Sequence, residues 1–358
     1  WGFCVLTLGT IEMIVAGVFP GFSFAPFVPR PAYAFYELNQ NVWGGLVLAA
    51  VAFALFRRLT HRVKRLQGAE THANDPLLIL SWIGALMITM FGAHASTGIA
   101  HDGLWWTHAL LVLGFLNYLP YSKHFHVVVS LPNVFLSNTS GPGVIGVMRP
   151  MDLESDLAVF GAKDVNDLSW KSLLDGFACT ECGRCTAVCP ANITGKLLSP
   201  RKIVVNVRER LEAEAKGDHS KTLLDDFISE EELWSCTTCR ACVQECPVSI
   251  DQLSVILELR RNLVLGESRF PEEVMPTFES MEQRGSPWAF DPGDRAKWAA
   301  GMEIPTMAEM AARNERPEVL YWVGCVGSFD DRSKKTTVAF AKILKAAGVN
   351  FAILGQEE

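Results

Sequence analysis

A run of four cysteines closed by a proline occurs twice in this chain, and it restricts the fold more than anything else in the sequence. Cys179-x-x-Cys182-x-x-Cys185-x-x-x-Cys189-Pro190 is answered by Cys236-x-x-Cys239-x-x-Cys242-x-x-x-Cys246-Pro247. Eight of the ten cysteines are spent there. Three closely spaced thiolates suit three corners of an iron–sulfur cubane, and a fourth Cys before Pro completes a cluster. Zinc or a disulfide framework is the alternative, but zinc takes four ligands and has no use for this packed run of four, twice. Where two such runs share a domain, the fourth cysteine of each ligates the other cluster. That rule assigns Cys179, Cys182, Cys185 and Cys246 to one [4Fe–4S] cluster, and Cys236, Cys239, Cys242 and Cys189 to the second.

The 358 residues suffice for two or three domains, and a 49% hydrophobic content fits a membrane section beside a polar one. Residues 1–130 carry a net charge of +2 and the remainder −9, a balance that argues against nucleic acid as partner. Clustered thiolates need a reducing compartment, which places the cysteine domain in the cytoplasm. The chain starts at Trp1 within an apolar run and stops after an expected strand, so further sequence is expected beyond both ends.

Four apolar segments, roughly Trp1–Phe19, Gln40–Leu59, Pro76–Thr97 and Leu104–His126, approach the ~20 residues that a bilayer core requires. Arg57, Arg58, Arg62, Lys64 and Arg65 follow the second segment and Lys123 ends the fourth, which makes those ends cytoplasmic. Histidines in such segments are costly unless used. On one continuous helix His108 and His126 would leave by the same face about 27 Å apart, as axial ligands of two b-type haems would. His94 is the expected partner at the outer level, and His61, or else His72, at the inner. The alternative is interfacial histidines that bond headgroups or close turns. Glu12, His101 and Asp102 are candidate quinone or proton contacts, against interfacial and solvated-loop alternatives. Cys4 reads as a small buried hydrophobe.

The expected organisation is a transmembrane helical domain at 1–130, a linker at 131–170, a two-cluster α-helical ferredoxin domain at 171–268, a connector at 269–316, and the start of an α/β domain at 317–358. Pro132–Pro150, with Gly141-Pro142-Gly143, reads as linker, and Asp152–Phe160 and Leu168–Gly176 as short helices. Helices are expected over Ser199–Lys216 and over Asp251–Leu265, where Asp251 serves as N-cap. Val319–Gly324, Arg332–Ala347 and Asn350–Leu354 form a β-α-β unit with Cys325 at the C-terminal end of its first strand. The fold class is mainly α.

The run from Thr107 and His108 through Leu119-Pro120-Tyr121-Ser122-Lys123 to His126 resembles the haem-bearing helix of nitrate reductase gamma subunits. That resemblance implies haem b and a quinone site; the lack of histidine in the first span leaves one or two haems. The cysteine repeats with the Gly324-Cys325 strand resemble heterodisulfide reductase subunits and related cysteine-rich-domain proteins, in which such a cysteine joins others to hold a further cluster. Both parts in one polypeptide are similar to membrane-bound iron–sulfur oxidoreductases of the electron-transfer flavoprotein:menaquinone type. The resemblance implies a multi-pass enzyme of a prokaryotic inner membrane, alone, as a homo-oligomer or in a larger respiratory complex. Its clusters and haem b would pass electrons from reduced electron-transfer flavoprotein, or another cytoplasmic donor, to menaquinone. A heterodisulfide-reductase-like thiol/disulfide enzyme and a non-catalytic electron-conducting subunit are the other expectations.

Overall fold

The computed structural model describes residues 2–19, 21–61, 63–66, 74–137 and 160–357. It is mainly helical and divides into two compact units, Trp1–Ser268 and Arg269–Glu358.

The first unit opens with four apolar helices, α1 (Gly2–Val18), α2 (Arg30–Phe56), α3 (Asn74–Ala95) and α4 (Ile99–Tyr118), each packed on the next. Two are long and apolar enough to cross a membrane: α2 with the turn that follows it, Arg30–His61, and α3. The shorter α1 is apolar too. Large side chains such as Phe3, Leu46, Phe53, Ile88 and Leu110 lie exposed on this group. The second apolar helix begins ten residues before the expected Gln40, because Pro29 sits at its N-cap and Pro31 in its first turn, where a missing N–H costs nothing.

The fourth helix departs from expectation in a way that matters for the haem reading. It ends at Tyr118, and Leu119–Tyr121 tightens into a 3-10 turn around Pro120. Ser122 then adopts an extended conformation (φ −108, ψ 160) and its hydroxyl accepts from the His124 N–H to start another short turn. Leu119 itself stays helical (φ −51, ψ −48), so the helical periodicity is reset at the extended Ser122. A separate helix α5 (His126–Phe135) follows and runs through Pro132, into the expected linker. His108 and His126 therefore lie on different helices, and the common-face argument fails. The expected helix at 152–160 falls mostly outside the described residues, as does His72.

The polar half of this unit is built from α6 (Trp170–Ala178), α7 (Arg184–Ala187), α8 (Pro190–Ile193), α9 (Pro200–Ala215), α10 (Glu230–Trp234), α11 (Ala241–Gln244) and α12 (Gln252–Arg261). Ser169, Ser199, Ser229 and Asp251 cap four of these by accepting from the N–H three residues on. The core gathers Val165, Leu198, Ile203, Val207, Leu223, Leu233, Ile256 and Leu259, all nearly inaccessible, around α9 and α12. Burial of α9 extends past the single apolar face that its sequence suggests, taking in Arg201, Asn206 and Arg210. Arg210 is satisfied by Asp164, Glu214 and the Asp218 carbonyl.

The second unit contains α13 (Met275–Arg284), α14 (Met307–Ala312), β1 (Val319–Leu320), α15 (Gly324–Phe329), α16 (Asp331–Ala346) and β2 (Phe351–Ala352). β1 and β2 pair in parallel, Val319 with Phe351 and Leu320 with Ala352. With α16 between them they form a β-α-β unit over a core of Trp298, Ala341, Phe351 and Ile353. Cys325 lies in the first turn of α15, several residues beyond β1, and not at the strand's end.

Candidate metal centres

The two cysteine runs fold as copies of one loop. Glu181 and Thr238, each two residues after the first cysteine, have positive φ of 50 and 55, and Gly183 and Arg240 have 74 and 63. For side-chain-bearing residues that backbone costs roughly 1–3 kcal/mol each and persists only where the surroundings demand it. It turns amides inward: Glu181 N–H donates to Cys179 Sγ and Thr238 N–H to Cys236 Sγ, both at 3.4 Å, and Ile250 N–H reaches Cys246 Sγ at 3.3 Å. Such inward amides form the concave nests that hold anionic iron–sulfur groups. α7 and α11 follow at equivalent positions and carry Cys185 and Cys242 inward.

Chain crossing brings the fourth cysteines to the opposite runs. Cys179, Cys182, Cys185 and Cys246 surround one small cavity. Burial apart, Cys189 lies near enough to Cys236 and Cys242 to raise both thiols, and Cys242 is raised more by Cys185 of the other run and by Cys236. Among the described residues no three His, Cys, Asp or Glu side chains converge as single-ion ligands do. A four-thiolate set of this spacing suits a cluster in which each iron takes its own sulfur. Burial pushes the Cys179 and Cys242 thiols up to about 12 and Cys185 to about 11. They become thiolates only when a cationic centre offsets that burial.

The first loop is locked to the chain between the apolar helices. Arg65, after α2, donates to the Cys182 carbonyl at 3.4 Å, and its own carbonyl accepts from the buried Arg201 at 2.7 Å. A Cβ on Gly183 would stand 2.0 Å from that Arg65 carbonyl, so only glycine allows this approach. Lys123, after α4, and Arg208, on α9, both pair with Glu181, whose carboxylate is inaccessible. Burial pulls Arg208 down and Glu181 more than offsets it, so its pKa is raised. Sequence reasoning missed Glu181 and Arg208, and it read Arg65 and Lys123 only as topology signals. Nothing local marks a carboxylate whose partners come from other elements. The second loop differs: Cys239, Thr237 and Thr238 are exposed, beside Trp234, over which Arg260 stacks at 4.9 Å.

The remaining candidates separate into two groups. At the end of the apolar helices away from the cysteines, His94, His101, His108 and Glu12 line a cavity of about 290 Å³ with Tyr33 and Tyr36. Glu12 accepts from Ser23 Oγ (2.8 Å), the Phe24 N–H (2.9 Å), Tyr33 (3.2 Å) and Tyr36 (3.0 Å), and so ties the α1–α2 loop. Asp102 is exposed and pairs with His101 at 3.1 Å. At the cysteine end, His126 Nδ1 bonds the Lys123 carbonyl at 2.7 Å, while exposed His61 packs edge-on to Phe56. Cys4 is exposed on α1, not buried. In the second unit, Arg295 points Nη2 at Cys325 Sγ, 3.6 Å away.

Residues 171–247 match the family model described as a 4Fe-4S dicluster domain. The chain is 33% identical, over its whole length and 59% of the relative, to "Probable iron-sulfur-binding oxidoreductase FadF" of Bacillus subtilis. It is 30% identical to "EtfAB:quinone oxidoreductase" of Syntrophomonas wolfei, across 77% of the chain and 42% of that protein. A "Probable membrane-anchored ferredoxin" of Chromohalobacter salexigens is 36% identical across 90% of the chain and 53% of its own length. The chain thus spans roughly two-fifths to three-fifths of these relatives. No solved structure matches it.

Proposed function

We propose that this chain is the cluster-bearing part of a membrane oxidoreductase that passes electrons from a cytoplasmic donor through two [4Fe–4S] clusters to menaquinone. The observation that carries the reading is the lock between the first cysteine loop and the chain at the ends of α2 and α4. It seats one cluster site against the apolar helices and leaves the other exposed. Cys179, Cys182, Cys185 and Cys246 hold the site nearer the membrane, and Cys236, Cys239, Cys242 and Cys189 the site nearer the donor. The clusters supply one-electron carriers; the chain's own residues set their environment through burial and N–H donation to sulfur. The similarity to an EtfAB:quinone oxidoreductase supports reduced electron-transfer flavoprotein as donor. The apolar helices and the membrane-anchored relative support membrane insertion, and the basic residues after α2 with the reducing surroundings thiolates need favour the cysteine end in the cytoplasm.

Histidine chemistry supports one haem b at the far cavity. His94 Nδ1 lies 2.9 Å from the Met90 carbonyl and so carries the proton there. His108 Nδ1 lies 2.9 Å from Thr89 Oγ1, whose own hydrogen goes to the Ala85 or Leu86 carbonyl. Each ring then keeps its Nε2 lone pair for iron, the arrangement found behind metal-bound histidines. His126 carries the same kind of bond, and the ring edge-on to it, 5.6 Å away, is that of His124. Cys325 remains a candidate ligand of a further cluster completed by residues beyond this chain.

Anaerobic mixing of the purified protein with reduced electron-transfer flavoprotein tests the reading. Bleaching of the cluster bands followed by reduction of an added naphthoquinone is the expected result. Clusters that stay oxidised would rule out this donor, and reduced clusters that leave the quinone untouched would rule out this acceptor.

A further inference from the structure

A second cavity, of about 420 Å³, opens where the cysteine loop meets the apolar helices. That is within the ~300–1,000 Å³ of small-molecule sites. We infer that it binds the quinone headgroup and is where the quinone is reduced, next to the first cluster; the inference rests on the quinone reading above.

One wall is aromatic and apolar, from Pro120, Tyr121, Phe125 and Phe177. Phe177 and Glu181 flank Cys179 in sequence, so that wall is continuous with the first cluster loop. The other wall is polar. Tyr118 donates to Asp75 Oδ1 at 2.5 Å, and Asp75 Oδ2 accepts from the Lys123 N–H at 2.8 Å. Tyr118 is held in place by stacking on Trp82, 5.8 Å between centroids and 19° between planes. Four carboxylates, Asp75, Glu181, Glu209 and Glu212, face two cations, Lys123 and Arg208. An excess of negative charge repels an anionic headgroup and admits a neutral ring. The cavity is open on the side of Tyr121, which is 89% exposed.

Distance favours this cavity over the far one. Nineteen residues of α3 separate Asp75 from His94, about 28 Å of helix. Electron tunnelling falls off exponentially with separation, so an acceptor at the junction is filled far faster than one at the far end. The haem site between α3 and α4 then lies on a side branch. The quinone takes two electrons, one at a time, from the first cluster, which is reduced again from the second. It takes two protons, both supplied by water: one given by the Tyr118 hydroxyl, whose proton is replaced by a water proton relayed through Asp75, and one entering at the Glu209–Glu212 rim. The product is the quinol.

An azido-naphthoquinone photolabel on the full chain with its clusters in place tests this site. We expect label within 118–125 or on Phe177. Glu212→Trp, at an exposed rim position, should cut that labelling several-fold while the resonance spectra of both clusters stay unchanged. Tyr118→Phe keeps the ring and removes the hydroxyl; it should retain the label and slow naphthoquinone reduction about a hundredfold. Label confined to the Tyr36–Trp105 region with quinone turnover intact would overturn the junction site and leave the proposed function standing. Turnover with no label at the junction would do the same. Absence of both label and turnover would remove the quinone reading itself.

Discussion

Glu181 shows how much a single buried carboxylate can carry. Its partners, Lys123 and Arg208, come from the chain after α4 and from α9, and both are nearly as inaccessible as Glu181 itself. Removing one member of such a group leaves uncompensated charge, at a cost of about 3–5 kcal/mol. Glu181→Gln should therefore lower the thermal midpoint sharply and alter the resonance spectrum of the first cluster while sparing the second. Asp175 gives a pH-dependent case. Burial raises its pKa, against the pull of Lys171, Asn133 and the Asp251 N–H. A raised native pKa contributes stability that is present at acid pH and lost as pH rises through that value. The thermal midpoint should fall over that interval, and Asp175→Asn should flatten the fall; an unchanged profile in the variant would show that Asp175 is not its source.

Elements meet here through backbone as much as through side chains. The cysteine loop approaches the segment after α2 so closely that Gly183 (φ +74) has no room for a methyl group. Gly183→Ala should cost at least ~1–3 kcal/mol in backbone strain alone and push the first loop off Arg65. Transfer to an added quinone should slow, with iron content kept; a variant of normal quinone rate would show that this contact is not on the electron path. α5 makes the neighbouring joint. Asn133, fully inaccessible, donates to Asp175 Oδ1 and to the Val248 carbonyl, both at 2.9 Å. Asn133→Ala takes this donor from the Val248 carbonyl and leaves Asp175 Oδ1 with Lys171 alone, a loss of about 1–3 kcal/mol that a denaturation midpoint would register.

For the molecule as a whole the decisive quantity is stoichiometry. Two clusters require about eight irons and about eight sulfides per chain, and the haem proposed at His94 and His108 would add about one. Cys182→Ser should halve the sulfide and leave the haem band, whereas His108→Ala should remove the haem band and leave the sulfide. A zinc-loaded, sulfide-free protein would end the cluster reading.

The cysteine loops were legible because their spacing is local: within one turn and one short helix, the ligand positions follow from the run of residues. The same holds for α9 and α12, whose periodicity and caps each lie within one continuous stretch of chain. What could not be read was anything decided by distant segments. His126 left the face of His108 because the extended backbone at Ser122 interrupts the helix, and a period of 3.6 counted through such a break loses its phase. Glu181, Arg201 and Arg208 acquired partners 58, 136 and 27 residues away. Cys325 moved from a strand end to a helix turn because β1 stops at Leu320. Ligand type and number are a matter of short-range chemistry and survive in one dimension. Which loop faces the apolar helices, and what cavity opens beside it, arises only when burial brings remote charges together.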